Sequence, residues 1–227
     1  MTDRIDRAAL FETLVGERRS IRAFRPDPVP RDLIERVLAT AQQAPSNCNA
    51  QPWIVHVVSG NAARKASAAL LDAASAGAIS PDVPLTGAYV DQYKTRRIAA
   101  AVTLFEATGV ARDDNEARTR SFMRNYALFG APHAAFIFMR RDFGLREAAD
   151  VGMYSQTLML ALTAHGLGSC AQGALSHYMD AVRPLLGVSD DLVCLYGLSF
   201  GYPDHDHPSD AARTIRAPLA ETVVFHD

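Results

Sequence analysis

Lysine is nearly missing from this chain of 227 residues. Of its 23 basic residues only Lys65 and Lys94 are lysine, and the rest are arginine. Cysteine is scarce as well: Cys48, Cys170 and Cys194 form no C-x-x-C pair. An odd number of widely spaced thiols excludes a disulfide scaffold and predicts reduced, buried cysteines in a cytoplasmic protein. Neither charge dominates, because 25 acidic residues leave a formal net charge of −2. Bulk charge therefore gives no reason to expect a nucleic-acid partner. Long hydrophobic runs are absent too. The longest stretch free of Asp, Glu, Lys and Arg runs from Val151 to Met179 and is broken by Gln156, His165, Gly166, Gly168, Gln172 and Gly173. A membrane span needs about 20 apolar residues, so this stretch is expected to hold a buried core helix. The opening MTDRIDRAAL mixes acids and bases with no apolar segment, which predicts no signal peptide.

What is present is ordinary globular material, 48% hydrophobic and 21% charged, which rules out disorder and collagen-like repeats. With no internal repeat and no low-complexity linker, residues 1–227 read as one domain. Hydrophobic spacing predicts a helix near 8–17 ending at Gly16 and an extended 25–30 set by Pro26, Pro28 and Pro30. A second helix carries Leu33, Ile34, Val37, Leu38 and Ala41 and stops at Ala44-Pro45. A strand over 53–58 precedes an Ala-rich helix capped by Asn61. Residues 79–90 read as loop, followed by helices near 91–108 and 114–129. A strand over 133–139 leads to the apolar helix 145–165, an extended 168–171 and a short helix at 176–186. A central strand follows at 192–198, and Thr222 to Phe225 looks strand-like. Strands mixed with helices in this way suggest one sheet covered by helices.

Several motifs fail their own context. Gly197-Leu198-Ser199-Phe200-Gly201 matches the G-x-S-x-G of a serine hydrolase, with Asp204, Asp206, His207 and His226 in hydrolase order. A nucleophile elbow needs a helix directly afterwards, and Tyr202-Pro203-Asp204 cannot start one promptly. Gly166-Leu167-Gly168-Ser169-Cys170-Ala171 matches a dinucleotide fingerprint but closes a helix instead of opening one. It reads better as a helix C-cap with a turn whose backbone a ligand ring could approach. His205-Asp206-His207 has no supporting metal ligands, and Cys170 with His177 has nothing to orient it as a thiol–base pair.

Two stretches are more informative. Arg18, Arg19, Ser20 and Arg22 place three guanidiniums and a hydroxyl within five residues. In an extended segment Ser20 and Arg22 share a face that could hold a phosphate by charge-assisted bonds; a solvated basic turn is the alternative. The loop 44–53 packs Ser46, Asn47, Asn49 and Gln51 ahead of the only tryptophan, Trp53. Such groups can read the donor and acceptor edge of a heterocycle, and they also serve plain turn chemistry.

Arg18-Arg19-Ser20-Ile21-Arg22-Ala23-Phe24 followed by Ala44-Pro45-Ser46 through Gln51-Pro52-Trp53 resembles the FMN-dependent nitroreductase family. The likeness continues in order at Arg124 to His133, at Gly166 to Gly173, at Gly201-Tyr202-Pro203-Asp204, and at Arg213 to Leu219. It implies an α+β fold, a three-layer α/β/α sandwich with one mostly antiparallel sheet, and an intertwined homodimer with FMN at the subunit interface. On that resemblance Arg18, Arg19, Ser20 and Arg22 would hold the phosphate and ribityl chain, with Arg216 and Arg213 completing the cage. Pro45, Ser46, Asn47 and Asn49 would reach the flavin from the other subunit, and Asn125 would add a polar contact. Gln172 and Gly173 would offer backbone N–H groups to flavin N5. Segment 79–120 would be a variable lid and 202–227 a tail embracing the second subunit. The implied reaction is ping-pong transfer from NAD(P)H through FMN to a nitroaromatic or quinone-like acceptor, with no obligatory catalytic side chain.

Other readings stay open at this point. Reductive dehalogenation on the same fold would need acid, Tyr and Lys groups, and 79–120 holds Tyr89, Tyr93, Lys94 and Glu106. A flavin-cleaving enzyme is disfavoured by serine at position 20, where such relatives often carry Asp. A serine hydrolase using Ser199 and a non-catalytic flavin-binding protein are the remaining alternatives.

Overall fold

The fold is organised by a strand that is apolar on both faces. His133–Arg140, written β2, buries every residue but the last, so a layer must cover each side of it. In the computed structural model, which describes residues 6–85 and 87–226, β2 pairs antiparallel with Ile54–Ser59 (β1) and with Leu192–Gly201 (β4). Gly168–Gln172 (β3) pairs antiparallel with the outer edge of β4, giving the order β1-β2-β4-β3.

Alternation along β2 divides the core. Ala134, Phe136 and Phe138 face one cluster with Ala63, Ala66 and Leu70 of the helix Asn61–Ala76 (α3) and Met179 and Val182 of Met179–Leu186 (α7). Ala135, Ile137 and Met139 face the other, against Ile34, Val37 and Ala41 of Arg31–Ala41 (α2) and Val151, Tyr154 and Leu158 of Leu145–Ala164 (α6). Each fully buried Phe contributes about 1.5–3 kcal/mol. The result is the expected three-layer α+β sandwich. A register shift at Ile137/Phe138 inserts an extra residue in β4, so Val193 and Leu198 both face the α2–α6 layer despite their odd spacing. Ser199, between Leu198 and Phe200, then faces the opposite side.

Three further helices, Arg7–Glu17 (α1), Asp91–Ala107 (α4) and Asn115–Met123 (α5), bury no residue. No described helix is long and apolar enough to cross a membrane.

Local chemistry corrects several boundaries. The helix expected over 114–129 ends at Met123, because Leu128 and Phe129 take left-handed φ values of 53° ahead of Gly130. Asn61 is the first residue of α3 and not its cap; Gly60, at φ 53°, holds that position. The helix expected from 176 begins at Met179, after a 3-10 turn at Gly173–Ser176. Gly16 lies inside α1. Residues 222–226 form no strand, and Val224 and Phe225 are exposed.

Segment 79–83, read as loop, is firmly docked. Ser80 bridges Tyr178, and its hydroxyl accepts the Asp180 N–H at 3.1 Å. The Asp82 carboxylate is bound by Arg183 at 2.6 Å and by the Cys194 N–H at 2.8 Å.

Candidate functional site

The basic segment is extended because it is drawn onto the sheet edge. At Arg18, φ −61° and ψ 118° end α1. The Ile21 N–H then donates to Ser169 O at 2.9 Å, and Ser20 forms a parallel bridge with Ser169. Gly168 permits this approach, since a Cβ there would stand 2.7 Å from Ile21 Cγ1 and 3.1 Å from Pro203 Cγ. Residues 18–22 thus continue the sheet beyond β3.

The arginines of this edge divide into two groups. Arg18 has its pKa lowered by burial and then by the charge of Arg216, so two guanidiniums lie within electrostatic reach of each other. Among the described residues no carboxylate hydrogen-bonds to either, and Arg216 donates to the Thr214 carbonyl and hydroxyl and to the Ile215 carbonyl. Arg22 makes only a long 3.5 Å contact to Ser20 O. Ser20 and Arg22 both lie beside the Cys170 thiol, where they oppose the upward pull of burial on its pKa. Arg18, Ser20, Arg22 and Arg216 form a cationic edge with no acid to close it, which suits a phosphate monoester.

Arg19 and Arg213, expected in the same cage, are turned elsewhere. Both donate to the Asp210 carbonyl, and Arg19 also pairs with the Asp210 carboxylate. Burial would raise the pKa of Asp210, but hydrogen bonds from Arg19 and His205 bring it below the ordinary value. Alternation along an extended chain explains the split, because Arg19 and Ile21 point away from the face of Ser20 and Arg22. These two arginines line a separate cavity of about 470 Å3 with Glu17, Ile21, Gly168 and His205.

At the other end of β3, Gln172 and Asn125, each expected on the resemblance as a separate flavin contact, bond to one another. Gln172 Nε2 donates to Asn125 O at 2.9 Å and to Asn125 Oδ1 at 3.3 Å. Gln172 is buried, whereas Gly173 is exposed and a Cβ there would meet nothing within 4 Å. A planar ligand could therefore lie against the backbone of Gly173. Gly166 ends α6 at φ 69°, with its N–H on Thr163 O and the Leu167 N–H on Leu162 O, the expected left-handed C-cap.

The carboxamide loop is rigid. Cys48, Asn49 and Gln51 take φ values of 49°, 57° and 47°, conformations that non-glycine residues hold only when their surroundings enforce them. Enforcement comes from Asp150, whose carboxylate accepts the Asn47 N–H at 3.0 Å, and from Ser46 Oγ, which accepts the Gln51 N–H at 2.9 Å. Trp53 Nε1 donates to Gln42 at 2.9 Å, and its ring stacks on Tyr154. Pro45, Asn47 and Asn49 face outward. Among the described residues no hydrogen bond joins this loop to 18–22 or to 172–173, so the chain does not bring its two expected half-sites together by itself.

Sequence reasoning missed Arg124 and Asp150. Arg124 Nη2 donates to Arg22 O at 2.8 Å, bracing the cationic edge from behind, and burial lowers its pKa. Asp150 could have been found: it shares the apolar face of α6 with Tyr154 four residues on, and a buried acid needs a donor. The hydrolase reading is overturned. Ser199 is 0% exposed, β4 runs on past it to Gly201, and its hydroxyl donates to Gln172 Oε1 at 2.5 Å. The dehalogenase groups do not converge within the chain either. Tyr93 and Glu106 are separated by 13 residues of α4, about 20 Å of helix.

A sequence profile described as the nitroreductase family matches residues 15–202. The chain belongs to the nitroreductase family. Among curated proteins, this nitroreductase-family chain is 41% identical over 222 residues to nitroreductase NfnB of Mycolicibacterium smegmatis, covering 97% of this chain and 94% of that protein. It is 32% identical to a 4-nitrobenzoate reductase of Nocardioides sp. strain LMS-CY, covering 95% and 89%. Its fold superposes with a TM-score of 0.94 on the crystal structure of the FMN-dependent nitroreductase NfnB from Mycobacterium smegmatis in complex with NADPH. The sequences there are 41% identical, and the match covers 98% of this chain and all of that one.

Proposed function

We propose that this chain is an FMN-dependent NAD(P)H oxidoreductase that reduces nitroaromatic or quinone-like acceptors, with NADPH as its donor. The observation that carries the reading is the cationic edge of Arg18, Ser20, Arg22 and Arg216, to which no carboxylate of the described residues hydrogen-bonds. It fits the terminal phosphate of FMN, and the open backbone at Gly173 fits a flat ring laid beyond it. Similarity to an FMN-dependent nitroreductase in complex with NADPH and to a 4-nitrobenzoate reductase supports the same assignment.

Bound FMN supplies the redox chemistry, taking a hydride from NAD(P)H and passing electrons to the acceptor in a ping-pong cycle. The chain's own residues hold and orient. Arg18, Arg22 and Arg216 bind the phosphate end with Ser20, and Arg124 fixes Arg22 by holding its carbonyl. Gly173 offers its N–H at the ring edge. The loop bearing Pro45, Ser46, Asn47 and Asn49 exposes Pro45, Asn47 and Asn49, and among the described residues no hydrogen bond joins it to its own chain's edge, which suits delivery to the site of a second copy.

That delivery requires a homodimer, and the surface agrees. Helices α1, α4 and α5 bury nothing, and Ile215, Leu219, Val224 and Phe225 of the tail are exposed. We assign residues 212–226 to an embrace of the second subunit, Tyr202 to Asp210 being held on their own chain, and 84–120 to a lid over the acceptor pocket. Segment 79–83 belongs to the core and not to that lid. Three free thiols suit a reducing cytoplasm.

The test is a visible absorption spectrum of the purified protein before and after anaerobic NADPH. Flavin bands that bleach are expected. A colourless protein that takes up no added FMN would overturn the assignment.

A further inference from the structure

We infer that Ser199 is a positioning residue for hydride transfer, acting through Gln172 on the backbone of Gly173; this rests on the flavin reading above. Ser199 is 0% exposed on β4 and donates to Gln172 Oε1 at 2.5 Å. The same carboxamide donates from Nε2 to Asn125 O at 2.9 Å and to Asn125 Oδ1 at 3.3 Å. Both ends of the Gln172 side chain are therefore committed inside the protein, with only 3% of the residue exposed, and neither is free for a ligand. The backbone exposed beside it is that of Gly173.

Gln172 is the last residue of β3, at φ −136° and ψ 105°, and Gly173 opens the following turn. The ψ of Gln172 sets the direction of the Gly173 N–H. Glycine at 173 adds no side-chain restraint, so the direction depends on how firmly Gln172 is held. Ser199 and Asn125 grip it from two different elements. Asn125 is itself tied by Nδ2 to Phe122 O at 2.8 Å, and its neighbour Arg124 holds Arg22 O at 2.8 Å. Two adjacent residues thus fix the spacing between the phosphate-binding edge and the Gly173 turn. The fold does not need a bonded hydroxyl at such a position for its own sake. Ser169 Oγ, on β3 and paired across the sheet with Phe200, is buried without any partner.

The experiment uses the FMN-loaded protein and its Ser199→Ala, Gln172→Met and double variants. Wild type is read first: failure to bind FMN, or to be bleached by NADPH, would remove the flavin reading whatever the variants do. Given a reducible wild type, three quantities are measured: FMN affinity by fluorescence titration, flavin reduction rate at saturating NADPH, and flavin midpoint potential. Ser199→Ala is expected to keep FMN affinity within about threefold, since the charged phosphate contacts remain. It should slow reduction about tenfold and move the potential. Gln172→Met, which removes the Ser199 and Asn125 links together, should slow reduction at least as much, and the double variant should be no slower than Gln172→Met alone, because the Ser199 link acts only through Gln172. A wild-type rate and potential in Ser199→Ala, or additive losses in the double variant, would overturn the inference. Should Ser199→Ala not fold, Gln172→Met keeps Ser199 and is decisive alone: an unchanged rate and potential would refute the inference.

Discussion

Arginine is used in two opposite ways at two ends of this molecule. Beneath α7, Arg183 is 13% exposed and meets Asp82, 9% exposed, at 2.6 Å, while the second service of that carboxylate is to the Cys194 N–H at 2.8 Å. Every charge there is closed by another protein group. At the outer edge of β3 the arrangement is the reverse, with Arg18 and Arg216 in mutual repulsion, Arg22 nearly unbonded, and no acid hydrogen-bonded to any of them. A closed pair reports on folding; an open cluster reports on a missing anion. Arg19 shows that the chain can close such a charge when it has a carboxylate to use, since its guanidinium pairs with Asp210. That Arg18, Arg22 and Arg216 remain open a few residues away supports the phosphate-binding role proposed for them.

The sharpest way to break this contrast is at Asp82. Asp82→Ala strands the Cys194 N–H and leaves the Arg183 guanidinium hydrogen-bonded only to the Ser189 and Leu192 carbonyls, and removing one partner of a buried pair costs about 3–5 kcal/mol. Urea unfolding should show that loss. A variant within about 1 kcal/mol of wild type would mean the pair is not closed as described. The open cluster should behave differently. Arg18→Met keeps the apolar stem and removes the charge, so unfolding of the cofactor-free protein should stay unchanged or improve. FMN affinity should fall by roughly 1.5–3 kcal/mol, the usual range for a charged hydrogen bond. Arg19→Met is the control, expected to spare FMN affinity because its guanidinium is engaged with Asp210. Equal losses of affinity in both variants would erase the distinction.

Much of this contrast is half legible in the sequence. The arginine-rich segment at 18–22 and the continuous apolar run of β2 can be read directly, because charge and hydrophobic patterning are local. The division between Arg18 and Arg19 cannot, since it depends on Asp210, nearly two hundred residues away and closed by the fold. Asp82 is hidden for the same reason. In a stretch with two prolines and a glycine it looks like any loop acid until Arg183 and Cys194 are brought to it. The sequence overextends helix α5 because Tyr126, Leu128 and Phe129 continue an apolar pattern, while the backbone at Leu128 and Phe129 turns left-handed to bury them. Ser199 misleads in the opposite direction, as a motif local in sequence whose partner is Gln172 across the sheet.

The smallest expected effect tests whether the closed interior also governs the response to acid. His133 is buried against Phe200, its Nε2 accepting the Val29 N–H at 2.9 Å and its Nδ1 lying 2.7 Å from Ser59 Oγ. That pairing requires a neutral ring with its proton on Nδ1, and burial lowers its pKa below the ordinary histidine value. Between the folded value and the ordinary value of about 6.5, the unfolded chain therefore binds a proton that the folded chain refuses. Stability must then fall as pH drops below about 6.5, at no more than about 1.4 kcal/mol per pH unit for each such histidine. His56, His177 and His207, their values also lowered by burial, act in the same direction, so replacing one of the four should flatten the slope only in part. His133→Gln, compared with wild type by urea unfolding at about pH 7 and about pH 5.5, should lose less stability over that interval. An identical slope in the variant would show that His133 already carries a proton in the folded protein, and that the interior is less closed at its centre than at Asp82.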